Sequence, residues 1–82
     1  MIVEQAHKLL IDKMSNWTAI ACFEYNTVFV FNIVPTKDAN ANTTMFDSLF
    51  SVDKQSGEIK NFKPFDISLE EYRAGKEIKN FK

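Results

Sequence analysis

The stretch from Trp17 to Pro35, WTAIACFEYNTVFVFNIVP, constrains the fold of this chain more than any other segment. β-Branched and aromatic residues dominate it, and such side chains fit a pleated, half-buried surface. The run is interrupted at Tyr25, Asn26 and Thr27, where the chain can turn. The sequence therefore predicts two strands folded back on each other. Pro35 ends the second strand, because proline cannot donate to the hydrogen-bond ladder.

Both faces of this predicted strand pair are apolar. A sheet with one wet face would alternate apolar with polar residues, so we expect the pair to lie within a sheet that is covered on each side. In the first strand, Thr18, Ile20 and Cys22 alternate with Trp17, Ala19, Ala21, Phe23 and Tyr25. In the second, Val28, Val30 and Val34 point to one face, and Thr27, Phe29, Phe31 and Ile33 point to the other.

The length and composition of the chain predict one small folded domain, residues 1–82. Its 82 residues leave room for a single core. The hydrophobic fraction is 45%, with eight phenylalanines, which is enough for a core and disfavours disorder.

Charge and cysteine content predict a cytoplasmic protein that does not bind membranes. The net charge is -1, so no global field attracts the chain to nucleic acid or anionic lipid. No apolar run reaches the roughly 18 residues of a membrane span, and the amino terminus does not resemble a signal peptide. Cys22 is the lone cysteine, whereas small secreted domains more often carry an even set.

Two helices are predicted, one near each end of the chain. Residues 2–14 show helical spacing of apolar side chains, namely Ile2, Val3, Ala6, Leu9, Leu10 and Met14. Near the carboxyl end, Ser68 and Glu71 have the spacing of a capping box. Gly75 is placed to end that second helix after about two turns.

Two more strands are predicted at about 45–53 and 57–63. They flank the turn-rich segment 53–57, in which Gly57 can adopt a positive φ. The predicted fold class is therefore α+β, with an amino-terminal helix packed on a four-strand antiparallel meander sheet and a short carboxy-terminal helix. The polar segment 36–44 has nothing to bury, and we expect a mobile, protease-sensitive loop there.

The hexapeptide EIKNFK occurs twice, at residues 58–63 and 77–82. One interpretation is coincidence in a chain rich in Lys, Phe and Asn. The other is that the tail offers the same strand surface as the fourth strand. One short copy is not a solenoid repeat.

Residues with catalytic or metal-binding chemistry are sparse, and we expect a protein that is not an enzyme and has no cofactor. His7 and Cys22 are the sole His and Cys, so a nucleophile pair or a zinc site has too few partners. Asp38, Asp47 and Asp53 lack the spacing of a calcium loop. With two glycines in the chain, a phosphate-cradling loop is not expected.

The segment VDKQSGEI, residues 52–59, resembles the closing hairpin of small YrhB-like bacterial immunity proteins and that of PepSY-type domains. The resemblance covers residues 2–63 and implies a helix on an antiparallel sheet. It also implies a bacterial or phage origin and a role in binding or inhibiting another protein. The chain departs from the immunity pattern in its Asn/Thr-rich middle loop, and from PepSY proteins in lacking an export signal.

We therefore expect a non-enzymatic protein-binding module of the inhibitor or immunity type, whose partner is another protein or a second copy. A homodimer is expected because the carboxy-terminal helix offers too little apolar surface to cover one face of the hairpin. The alternative is a single-stranded nucleic-acid binder that uses the carboxy-terminal Lys/Phe segment, Lys60, Phe62, Lys63, Phe65, Lys79, Phe81 and Lys82. The candidate partner-binding residues are Phe29, Phe31, Tyr72, Lys60 and Phe62.

Overall fold

The computed structural model of the chain describes residues 1–36, 48–63 and 68–81. The predicted loop at 36–44 lies, apart from Thr36, outside these residues, as do Asp38, Asp47, Phe65 and Lys82. Within these residues, two helices and five strands form an α+β fold. They are α1 (Val3–Lys13), β1 (Trp17–Glu24), β2 (Val28–Pro35), β3 (Ser48–Asp53), β4 (Ile59–Asn61), α2 (Leu69–Ala74) and β5 (Lys76–Ile78).

The sheet has the strand order β4-β3-β2-β1-β5, and every neighbouring pair is antiparallel. Strands β1 to β4 form the predicted meander. The predicted count of four strands is wrong, because β5 adds a fifth strand to the free edge of β1. Ile78 lies opposite Cys22, and Lys76 lies opposite Glu24. This pairing joins residues far apart in sequence, so no local turn pattern in the sequence predicts it.

Strand β2 lies at the centre of the sheet and is buried on both faces, as predicted. Val30 and Val34 are buried on one face. The alternate residues belong to a core cluster under α1, which fixes the position of the helix through Ala6 and Leu10. The members of the core cluster are Ala6, Leu10, Ala19, Cys22, Phe29, Phe31, Ile33, Val52 and Phe81.

A β-bulge interrupts β1 at Ile20. Ala19 pairs with Ile33 and Ala21 pairs with Asn32, so Ile20 is the extra residue, and it is 43% exposed. One extra residue reverses the facing of every side chain after it. The strict alternation predicted for β1 is therefore wrong beyond Ala19, and Cys22 joins the core cluster.

Helix α1 agrees with the predicted range to within one residue at each end. The backbone N–H of Ile2 donates to Gln5 Oε1 at 3.3 Å, which satisfies one of the amides at the start of the helix. Ala6 and Leu10 are fully buried. Ile2 and Leu9 were predicted on the same buried stripe, but both are exposed. The face of α1 that contacts the sheet is therefore narrower than the apolar stripe predicted from the sequence.

The turn between β3 and β4 is held by the Asp53 carboxylate. Its Oδ1 accepts hydrogen bonds from the backbone N–H groups of Gln55 at 2.8 Å and Ser56 at 2.9 Å. These bonds hold the pKa of Asp53 below its ordinary value. Gly57 has a φ of 76°, which confirms the predicted positive φ. The N–H of Lys54 donates to Thr27 O at 2.9 Å and joins this turn to the β1–β2 turn.

Candidate protein-binding surface

The five candidate partner-binding residues divide into a buried and an exposed group. Phe29 and Phe31 belong to the core cluster under α1, and Phe62 is buried as well. Tyr72 on α2 and Lys60 on β4 are exposed. A ring removed from solvent stabilises the fold and does not reach a partner. Of the five residues, Tyr72 and Lys60 therefore remain available for surface contacts.

Helix α2 begins at the predicted cap. The Ser68 hydroxyl oxygen accepts a hydrogen bond from the backbone N–H of Glu71 at 3.1 Å. The helix has six residues and buries none of them. Leu69 is 63% exposed and Tyr72 is 42% exposed. This short helix therefore exposes two large side chains to solvent, Leu69 more than Tyr72.

Three aromatic rings connect α2 to the sheet, and we call them the aromatic stack: Phe62, Tyr25 and Tyr72. The Tyr72 and Tyr25 ring centroids are 6.2 Å apart with the planes at 25°. Those of Tyr25 and Phe62 are 5.8 Å apart at 23°. Each such pair contributes about 0.5–1.5 kcal/mol beyond its buried area. The stack runs from a buried ring to an exposed one, so Tyr72 is held in place from below.

Tyr25 was not among the candidate residues, because the sequence indicates no more than its place beside a turn. Its ring lies directly against Gly75. A Cβ added to Gly75 would clash with Tyr25 Cε1. Gly75 ends α2 as predicted, but its φ is -62°, so the left-handed cap is absent. Glycine is needed here for the close approach of the ring.

An open cleft of about 520 Å³ lies beside the aromatic stack. Within it, Lys54 Nζ lies 2.8 Å from Glu24 Oε2 and 5.0 Å from the centroid of the Phe29 ring. The lining also contains a second acid and a second base, so its formal charges cancel. The lining residues are Glu24, Tyr25, Asn26, Lys54, Glu71, Ala74 and Lys76.

The lining of the cleft has no net formal charge and includes one tyrosine ring. Burial raises the pKa of the Tyr25 hydroxyl, and the neighbouring Tyr72 raises it further. A polyanion would require an excess of positive charge.

The sole cysteine lies in the core, and the sole histidine is half-buried beside it. The Cys22 thiol is fully buried, and burial, with a further effect of Glu24, raises its pKa to about 12. His7 lies on α1 with its ring centroid 5.9 Å from that of Phe31 and 5.3 Å from that of Phe81. Residues 1–36, 48–63 and 68–81 contain no group of three or more His, Cys, Asp or Glu placed to hold a metal ion.

In the same three ranges, no helix is long and apolar enough to cross a membrane. The chain was also compared with models of protein families, with curated proteins and with solved structures. None of the three comparisons gives a match, so the resemblance to YrhB-like and PepSY-type proteins stays a prediction.

Proposed function

We propose that this chain is a small, non-enzymatic protein-binding module that captures another protein through α2 and the cleft beside it. The observation that carries the proposal is the exposure of Leu69 and Tyr72 on a helix that buries nothing. A six-residue helix has only marginal stability in isolation. Leu69 and the exposed part of the Tyr72 ring are apolar surfaces that suit contact with a partner.

The surroundings of Tyr72 resemble the anatomy of a binding hot spot. Tyrosine is enriched at protein interfaces, where a rigid ring offers a large contact area at low entropic cost. Tyr72 is already ordered by stacking on Tyr25. Charged side chains of both signs, Glu70, Glu71 and Arg73, surround it and supply a polar rim.

The proposed type of module rests on the resemblance of one segment to known hairpins. The segment VDKQSGEI is similar to the closing hairpin of small YrhB-like immunity proteins, and this similarity favours an inhibitor or immunity-type protein of bacterial or phage origin. Its place of action is the cytoplasm. The sole cysteine is a free, buried thiol, as is common in reducing compartments.

Protein binding is preferred over single-stranded nucleic-acid binding because of where the phenylalanines lie. A base-stacking surface needs exposed aromatic rings beside basic side chains. Phe62 and Phe81 are both buried. Lys60 is exposed, but its Nζ lies 3.7 Å from Glu58 Oε1, which offsets its charge.

The test is capture of partners from a bacterial lysate with the immobilised chain, read by mass spectrometry. The double variant Leu69→Ala/Tyr72→Ala should lose the proteins that the unmodified chain retains. The matched control is Ile2→Ala/Leu9→Ala, which removes two exposed apolar side chains from α1. It should retain them. Equal retention by both variants, or equal loss, would exclude α2 as the binding surface.

A further inference from the structure

The chain contains two tyrosines, Tyr25 and Tyr72, and the fold stacks one on the other. They come from distant segments, the turn after β1 and helix α2. Their ring centroids are 6.2 Å apart, and the planes are inclined by 25°. Tyr72 also raises the pKa of Tyr25, so the two hydroxyl groups lie close enough to interact electrostatically. Both phenols of the chain are therefore neighbours.

One member of this pair is held firmly, and the other lies on a helix that has room to move. Tyr25 stacks on the buried ring of Phe62 and lies against Gly75. Tyr72 belongs to α2, which buries none of its six residues. A small shift of α2 therefore brings a carbon of the Tyr72 ring onto the Tyr25 ring without opening the core cluster.

Solvent reaches the pair from the Tyr72 side. Tyr72 is exposed, whereas Tyr25 is half-buried beneath it. The Cys22 thiol, which would compete for an oxidant, is fully buried. An oxidant in solution therefore meets Tyr72 first, and the phenol closest to Tyr72 is that of Tyr25.

We propose that Tyr25 and Tyr72 form an oxidative cross-linking site, at which a one-electron oxidant of the peroxidase class joins the two rings through a carbon–carbon bond. Each phenol gives one electron to the oxidant and one proton to water, which leaves two phenoxyl radicals. Their unpaired electrons form a bond between two ring carbons, each adjacent to the carbon that carries the hydroxyl. The hydrogens on the bonded carbons move to the oxygens and restore both hydroxyl groups. One hydrogen peroxide accepts the two electrons and two protons and becomes two waters.

The stacking gives the reaction within one chain an advantage over coupling between chains. Two groups that the fold already holds together react without a diffusional encounter, whereas coupling between molecules depends on protein concentration. The new bond ties α2 to the turn after β1. The site is independent of whether α2 binds a partner, so a negative result in the lysate experiment leaves it unaffected.

The test treats the purified chain with a haem peroxidase and hydrogen peroxide at about 1 to about 100 micromolar protein. The expected product is a monomer that has lost two hydrogens in mass and shows the blue fluorescence of dityrosine. Its yield should be the same at every protein concentration. Tandem mass spectrometry of a tryptic digest should find the peptides of Tyr25 and Tyr72 covalently joined.

A matched variant, Tyr72→Phe/Ile20→Tyr, keeps two tyrosines but separates them. Ile20 is 43% exposed and Tyr72 is 42% exposed, so an oxidant has similar access to either position. Position 20 lies on β1, roughly 15 Å from Tyr25 along the strand. This variant should form at least about tenfold less internal cross-link than the unmodified chain.

A second variant, Tyr25→Phe, keeps the stacked ring but leaves Tyr72 as the sole phenol. It should form dityrosine between molecules alone, in a yield that rises with protein concentration. This result shows that the oxidant reaches Tyr72. Circular dichroism checks that both variants fold.

Three results would overturn the proposal. The first is an internal cross-link of equal yield in Tyr72→Phe/Ile20→Tyr, since stacking would then be unnecessary. The second is dityrosine in the unmodified chain that is confined to dimers. The third is an unmodified chain without dityrosine, whether its tyrosines are intact or converted to other products.

Hydrogen exchange of the isolated cross-linked monomer measures the effect on α2. Because the bond ties the helix to the turn after β1, the α2 amides should exchange several-fold more slowly than in the untreated chain. Unchanged exchange in α2 would contradict the tethering of this helix.

Discussion

At the scale of single residues, the contact between Tyr25 and Gly75 is the tightest constraint on the candidate binding surface. Any side chain at Gly75 must displace the ring that orders Tyr72. We expect Gly75→Ala to destabilise the fold by about 0.5–1.5 kcal/mol, the contribution of the Tyr25–Tyr72 stacking pair that the displaced ring would lose. Urea unfolding followed by circular dichroism measures this loss.

A double-mutant cycle separates that contact from a general effect on the backbone. In a Tyr25→Ala background the added methyl group meets no ring, so Gly75→Ala should cost far less. Since the φ of Gly75 is -62°, alanine is not strained there. An equal cost in both backgrounds would show that the ring contact is not the cause.

The Asp53 carboxylate makes stability depend on pH in the acid range. Its hydrogen bonds from Ser56 and Gln55 hold its pKa below the ordinary value of 3.8. The folded form therefore binds this proton less readily than the unfolded form. The resulting stabilisation is present above pH 3.8 and is lost as the pH falls through the lower, folded pKa.

Asp53→Asn should flatten this acid dependence, because an amide can still accept hydrogen bonds but does not titrate. The measurement is the urea midpoint as a function of pH from neutral to strongly acid conditions. If the variant loses stability on acidification as steeply as the unmodified chain, other carboxylates must dominate.

Local residue patterns predicted some of these roles and not others. The positive φ of Gly57 and the Ser68 cap follow from rules that span a few residues, and the structure confirms both. The meeting of Tyr25 with Gly75 depends on how distant segments pack. No spacing within the sequence indicates it.

At the scale of elements, β2 supplies three side chains of the core cluster, Phe29, Phe31 and Ile33. Phe31 is fully buried, and its ring contacts those of His7 and Phe81. We expect Phe31→Ala to cost roughly 3–5 kcal/mol, as truncation of a buried aromatic residue does. That loss is comparable to the whole stability of a small domain.

Thermal and chemical unfolding measure this cost, with Tyr72→Ala as the control. The Tyr72 ring is partly exposed, so its removal should cost much less than that of Phe31. A Phe31→Ala variant that melts within a degree or two of the unmodified chain would contradict the central position of β2.

The elements that the sequence predicted well are those in which apolar residues recur at the helix or strand spacing along the whole element. Alternation gave both faces of β2, and helical spacing gave α1 to within a residue. The bulge at Ile20 depends on how β1 must twist against β2, which alternation does not report. Strand β5 has three residues, too few to show an alternating pattern. The repeated hexapeptide was therefore the one sequence feature that indicated a strand there.

At the scale of the whole molecule, β1 is the strand that joins the two ends of the chain to one sheet. It pairs with β2 through a tight turn and with β5 through the most distant pairing in the sheet. Sequence patterns predicted the α+β class and the meander of the first four strands. They could not predict the order of the sheet edges, because that depends on which free edge the tail reaches.

The position of β5 has a consequence for folding kinetics. Closing a long loop costs more entropy than closing a hairpin, so β1 to β4 should be structured in the transition state and β5 should dock after it. Truncating Ile78 to alanine should then mainly speed unfolding, with a φ-value near zero, whereas Val52→Ala should also slow folding. Stopped-flow kinetics would distinguish the two. A high φ-value at Ile78 would mean that the sheet is nucleated from its β5 edge. A low φ-value would mean that β1 to β4 form first and that the outer edge of β1 stays unpaired until β5 docks.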